Sequence, residues 1–228
     1  MIQKEIILSF ITLTFIFFTS CKKEVVPEHI DFGYTYFPVN ISHYIIYDAD
    51  SIVYNDFTGT VDTFSFEVKH YFESEFIDNS GRTCQRIEIY KRNNDTLPWQ
   101  IKHVWHSIRT EYTAEVVEEN IRYIKLSFPV KKFKKWNGNA YNTEGEQIYK
   151  YISVDEPYAN KYLYFDSTLT VLQKDDSTLI NTDYAAEIYA RNIGLVYKKY
   201  LHLEKKITGI IKKGLDYTLT AKEVYFNY

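Results

Sequence analysis

The sequence predicts an all-β domain: a single strongly curved antiparallel sheet, a half-barrel or open barrel, behind an N-terminal export segment. Three observations carry this expectation. Tyr and Phe are abundant, at 22 and 15 of 228 residues, while Gly numbers only 8, and such rings suit a pleated surface wet on one face and buried on the other. Apolar and polar residues alternate in run after run along most of the chain. Turn signals between those runs divide the chain into about nine or ten strands, too many for a flat sheet. Such a sheet curls into a barrel-like wall or folds over as a sandwich.

The chain opens with Gln3, Lys4 and Glu5, then the apolar run of residues 6–18, then Thr19, Ser20 and Cys21. That run has the length of a signal-peptide core and falls short of the roughly 20 apolar residues of a membrane span. The sequence resembles a bacterial lipobox, with Phe18 where an aliphatic residue is usual. The resemblance implies cleavage before Cys21 and acylation of its thiol and amine with chains such as palmitate. Two or more acyl chains anchor a protein stably. An uncleaved anchor helix is the other reading, and it too tethers the protein. Residues 1–20 are therefore expected as signal peptide, 21–33 as lipidated tether and 34–228 as the β domain.

The first strand is expected at Ser42–Tyr47, followed by a loop near Asn55–Thr60. Thr63–Phe76 alternates, with Phe64, Phe66, Val68, His70 and Phe72 on one face. Asp78–Gly81 signals a turn, and Thr83–Tyr90 returns as its partner, with Ile87 and Ile89 on the apolar side. Gln100–Val117 reads as one long strand, and its length favours strong curvature. Glu118–Asn120 turns it into Ile121–Phe128, and Trp136–Asn139 reads as a loop. Strands follow at Gln147–Val154 and Lys161–Phe165, joined across Asp155–Pro157, and then at Leu169–Lys174. Asp175–Ser177 reads as a polar turn. Asp183–Ala190 has helical composition, but Asn192–Gly194 follows where a tight turn would send it back along Leu195–Leu203, so a strand is expected. Gly209 and Gly214 punctuate the last loop before a terminal strand from Asp216.

Several stretches together resemble uncharacterised envelope lipoproteins of Bacteroidota: Phe37-Pro38 ahead of Tyr44–Tyr47, Trp136–Asn142, Phe165–Val171 and Glu187–Tyr197. More distantly, the strand layout resembles the curved-sheet lipoprotein carriers of the LolA/LolB type. The first resemblance implies lipid anchoring in the outer membrane, facing the periplasm or the surface. It also implies O-glycan attachment at Asp-(Ser/Thr) sites, which nominates Ser51, Thr96, Ser167 and Ser177. The second implies a hollow that shields acyl chains, lined by Phe64, Phe66, Val68 and Phe72.

A net charge of -3 gives no basic excess for nucleic acid. With Cys21 assigned to lipid, Cys84 stands alone on a strand-like stretch and reads as a small buried apolar residue. His103 and His106 lie three apart, on opposite faces of a strand, so one metal ion does not use both. Glu118-Glu119 and Asp175-Asp176 read as solvated hairpin tips. No nucleophile elbow, phosphate loop or zinc spacing is present, so no catalytic residue, metal or cofactor is expected. Lys131, Lys132, Phe133, Lys134, Lys135 and Trp136 interleave cations with rings, which suits a lysine-protected edge strand or contact with headgroups or glycan. The expected role is a non-enzymatic envelope binding or structural module for a protein or glycan partner. The alternative is a lipid or lipoprotein carrier that uses the sheet's hollow.

Overall fold

The computed structural model describes residues 30–226 of the chain. Cys21 and its leader lie outside the described residues. Twelve strands form one antiparallel sheet: β1 (His43–Tyr54), β2 (Val61–Ile77), β3 (Thr83–Arg92), β4 (Gln100–Arg109), β5 (Thr113–Glu118), β6 (Ile121–Ser127), β7 (Lys135–Asn137), β8 (Ile148–Ala159), β9 (Tyr164–Ser177), β10 (Asn181–Ala190), β11 (Gly194–Lys205) and β12 (Ile211–Tyr225). Their spatial order is β6-β5-β4-β3-β2-β1-β12-β11-β10-β9-β8-β7. Every connection is a hairpin except the step from β6 to β7, and the first and last strands pair in the middle of the sheet.

Its two edges nearly meet, so the wall is an almost closed barrel. Ile124 N donates to Gly138 O at 2.8 Å, Trp136 Nε1 donates to Ile124 O at 2.9 Å, and the Tyr151 hydroxyl bonds both N (2.9 Å) and O (3.0 Å) of Ser127. Closure matters because an open edge leaves unpaired backbone groups that recruit other chains.

Twelve strands replace the nine or ten expected, and turn chemistry explains most of the difference. Gln100–Val117 is broken into β4 and β5 because the Thr110 hydroxyl accepts from Tyr112 N (3.1 Å) and Thr113 N (2.9 Å), folding the backbone back on itself. Lys135–Asn137 forms a short edge strand where a loop was expected. Asp155–Pro157 lies within β8, whose pairing with β9 shifts register three times. Such bulges leave a place for a proline that cannot donate to the ladder. Asp175–Ser177 belongs to β9. Gly214 is inside β12, where a Cβ would come 2.1 Å from His202 O.

The chain ahead of β1 plugs one end of the barrel. Tyr34–Tyr36 forms a 3-10 turn, with Tyr36 fully buried and Phe37 at 7% exposure. Arg109 Nη1 holds the plug by donating to Tyr34 O (3.1 Å) and Phe37 O (2.9 Å). Phe32 O accepts from Val130 N at 3.0 Å, and Asp31 pairs with Arg191 at 2.7 Å. Asp31–Gly33, expected as the end of the tether, therefore belong to the folded body.

Candidate functional site

Inside the barrel lies a cavity of about 380 Å³. That is within the range of pockets that hold one drug-sized molecule, roughly 300–1,000 Å³. Its walls come from alternate residues of β1 to β4 and β12: Ile45, Phe66, Val68, Ile87, Trp105 and Leu219 are among them. Strand periodicity places them there, since residues two apart share the inward face. Phe37 and Pro38 of the plug, with Ile193–Leu195 of the β10–β11 turn, close it at one end.

Ionised groups sit in this apolar interior. Lys125 Nζ lies 2.7 Å from Glu118 and 3.2 Å from Glu187, and Lys198 lies 3.6 Å from Glu187. Tyr189 Oη donates to Glu187 at 2.7 Å. The four charges sum to zero, so the cluster is internally matched. Burial alone raises a carboxyl, but Lys125 and Lys198 outweigh it and hold Glu118 down to about 2. Glu187 is lowered by the same balance. Burial alone lowers an ammonium, yet the two carboxylates raise Lys125 above the usual lysine range.

His70 faces the same space from β2, at 8% exposure. Its ring lies 4.7 Å from Tyr47 and 5.8 Å from Trp105. Burial pushes the imidazole down to about 4, so it is neutral at pH 7. Among the described residues neither of its nitrogens takes part in a hydrogen bond or ion pair.

At the opposite end from the plug the cavity is rimmed by Lys91, Lys102 and His103. A bulge brings Lys102 there: β3 and β4 pair Ile89 with His103 and Tyr90 with Ile101, leaving Lys102 without an opposite number. Neighbouring residues Lys102 and His103 therefore both line the mouth, which regular alternation forbids. His103 Nδ1 lies 2.6 Å from Glu119, and the same carboxylate accepts from Trp105 Nε1 at 2.9 Å.

The residues nominated from sequence divide between inside and outside. Phe66, Val68 and Phe72 line the cavity, whereas Phe64 is 52% exposed on a hairpin that projects past it. Of the basic stretch, Lys134 donates to the carbonyls of Ser127, Phe128 and Pro129, and Trp136 bonds across the seam. Both close the barrel. Lys132 pairs with Glu156 at 3.0 Å, and Phe133 is exposed between Lys132 and Lys150. Lys131 and Lys135 are exposed. Ser51 is half-buried in β1, while Thr96 and Ser177 are exposed. The Ser167 hydroxyl donates to Asp155 at 2.7 Å and accepts from Arg191 Nε at 3.0 Å. Cys84 is a buried free thiol, raised by burial. Glu118, expected as a solvated hairpin tip, instead points inward to Lys125. Among the described residues no group of three or more His, Cys, Asp or Glu could hold a metal ion.

Sequence reasoning missed Lys125, Glu187, Lys198, Lys91 and Lys102. Glu187 carried a signal, since Ala185, Glu187 and Tyr189 alternate as one face. Lys125 carried none: Ala114 pairs with Leu126 and Glu115 with Ile124, so Lys125 is an unpaired bulge residue between them.

Fold and hollow together describe a nearly closed antiparallel barrel that encloses a largely apolar cavity. No family model matches the chain, and no curated protein matches it. Two solved structures are similar in shape. One, from Bacteroides fragilis, is of a protein described as exported, with a YmcC-like fold. It has a TM-score of 0.44 and 8% identity, covering 83% of this chain and 98% of that one. The other, from Parabacteroides distasonis, is of a protein described as a lipoprotein. It has a TM-score of 0.42 and 11% identity, with the same coverage of 83% and 98%. Neither is described as a LolA/LolB-type carrier. At these scores neither likeness transfers a ligand or a role.

Proposed function

We propose that this protein is a membrane-anchored, non-enzymatic binding module of the cell envelope, and that its site is the barrel interior, which takes one small, largely apolar ligand. The observation that carries the reading is the cavity of about 380 Å³ left between wall, plug and rim. A core packed for stability alone leaves few voids larger than a water molecule. The volume suits a single chain or ring system and not a multiply acylated lipoprotein anchor, so the carrier alternative narrows to one small lipid. An outer-face role for Lys131–Trp136 is less favoured, because Lys134 and Trp136 are engaged in closing the seam. Lipid attachment at Cys21 to the outer membrane is part of the proposal and rests on the leader sequence.

The full-length protein, purified from native envelope and extracted with organic solvent, is expected to release a stoichiometric small apolar molecule by mass spectrometry. That molecule should be lost in Val68→Trp, which fills the hollow. Equal yields from both proteins refute the interior site. Cys21→Ala should leave the envelope fraction and lose acyl mass; unchanged fractionation at unchanged mass refutes the anchor.

A further inference from the structure

We propose that the mouth of the barrel selects an anionic head group, so that the ligand is a single-chain amphiphile with its carboxylate or phosphate between Lys91 and Lys102 and its chain in the hollow. The inference rests on the interior-site reading and adds the charge and orientation of what binds there.

Three observations support it. First, Lys91 and Lys102 stand together on the rim, and among the described residues neither has a carboxylate partner. Lys91 Nζ instead lies 3.5 Å over the Phe66 ring, and Lys102 reaches only the Gln100 amide oxygen at 3.1 Å. Burial and the nearby Lys102 charge both lower Lys91, the mark of two cations held close without an anion between them. Secondly, Glu119, the carboxylate beside His103, is bonded by His103 and Trp105 and makes no ion pair with either lysine among the described residues. Thirdly, the bulge at Lys102 turns that residue toward the mouth, and bulges are used to re-aim side chains at sites.

The opposite orientation, head group inward, is disfavoured by the interior cluster. Lys125 and Lys198 are already matched by Glu118 and Glu187, so a third buried negative charge there would lack a partner. Neutral His70 and the Tyr217 hydroxyl, without hydrogen bonds among the described residues, offer polar contacts but no charge. Attraction is therefore concentrated where the cavity meets water. There the Lys91 stem and Phe66 ring form the boundary between chain and head group.

The test uses full-length protein in phosphatidylcholine vesicles and three chain-matched probes: octanoate, octanol and octyltrimethylammonium. Binding is followed by the fluorescence of Trp105, with Trp105→Phe as the background. Octanoate is expected to bind about tenfold more tightly than octanol, from two partly exposed ion pairs, with the advantage shrinking as salt is added. In Lys91→Gln/Lys102→Gln the ratio of octanoate to octanol affinity should fall to about one. Lys102→Glu, a change at an exposed position, should shift the preference toward the ammonium even if the double variant fails to fold. Equal affinity of the wild type for octanoate and octanol overturns the head-group assignment and leaves the interior site standing. Retained preference for octanoate in both variants also overturns it. Binding of none of the three probes overturns both. Octyl phosphate, run as a fourth probe, separates phosphate from carboxylate specificity once an anion preference is found.

Discussion

Replacing Lys125 with methionine removes the cation held between Glu118 (2.7 Å) and Glu187 (3.2 Å) inside the barrel. Both carboxylates remain, with Lys198 at 3.6 Å from Glu187 as partial compensation. Breaking a buried pair by deleting one partner costs about 3–5 kcal/mol, and the retained Lys198 places this case near the lower end. For a domain of this size each kcal/mol shifts Tm by roughly 2–4 °C, so Tm should fall by about 10 °C. The loss must also depend on pH. In the wild type Glu118 is held at about 2, below its ordinary 4.5. Its stabilising share is present above pH 4.5 and is lost as pH falls from 4.5 to 2. In Lys125→Met the carboxyls gain by protonation, so the gap between the two proteins should narrow toward pH 4. Urea unfolding at pH 7 and pH 4.5 measures both effects. A further variant, Lys125→Met/Glu118→Gln, should recover most of the loss, since the Glu187–Lys198 pair and the Tyr189 hydrogen bond remain and no stranded carboxylate is left. A loss under about 1 kcal/mol for Lys125→Met, or no recovery in the double variant, refutes a tightly coupled interior cluster.

Two further outcomes follow from the described geometry. His70 is lowered to about 4 from 6.5, so its share of stability is intact above pH 6.5 and is lost as pH falls toward 4. His70→Leu should therefore lose about 2–3 kcal/mol less than the wild type between pH 7 and pH 4.5. His43, similarly lowered by burial, is present in both proteins, so its effect cancels in the comparison of urea midpoints. Gly214→Ala places a Cβ 2.1 Å from His202 O at a φ of +148°. It should cost more than about 1 kcal/mol, measured as a drop in Tm, whereas Gly209→Ala, at a turn with open space around it, should cost less.

The general plan was legible because alternation is a backbone property. Phe66, Val68 and Phe72 face inward for the reason that any residues two apart on a strand do. The Asp78–Gly81 turn and the Asn192–Gly194 turn are written in local residue chemistry. What alternation cannot reveal is where it breaks. Lys102 and Lys125 reach the interior through bulges whose existence depends on the partner strand, so no window of their own sequence marks them. Glu118 looked like a hairpin tip because Glu119 and Asn120 are one, with positive φ at both; the ladder ends one residue later than the charge pair suggests. Near-closure was illegible for a related reason, since it depends on the Trp136 indole and the Tyr151 hydroxyl bonding backbone groups of β6, contacts that no alternation pattern marks.

The pairing of β1 with β12 has a mechanical consequence. The chain ahead of β1 passes through the plug, tied by Arg109, Arg191 and Val130, before it enters β1, which is laddered along its length to β2 on one side and β12 on the other. Tension applied from that end, as by a lipid foot, meets the plug's ties first and then the twelve residues of β1, held by two flanking ladders at once. Those ladders resist by sliding together instead of unzipping one bond at a time. The weakest stretch of wall, between β6 and β7, lies on the far side of the sheet order from the load.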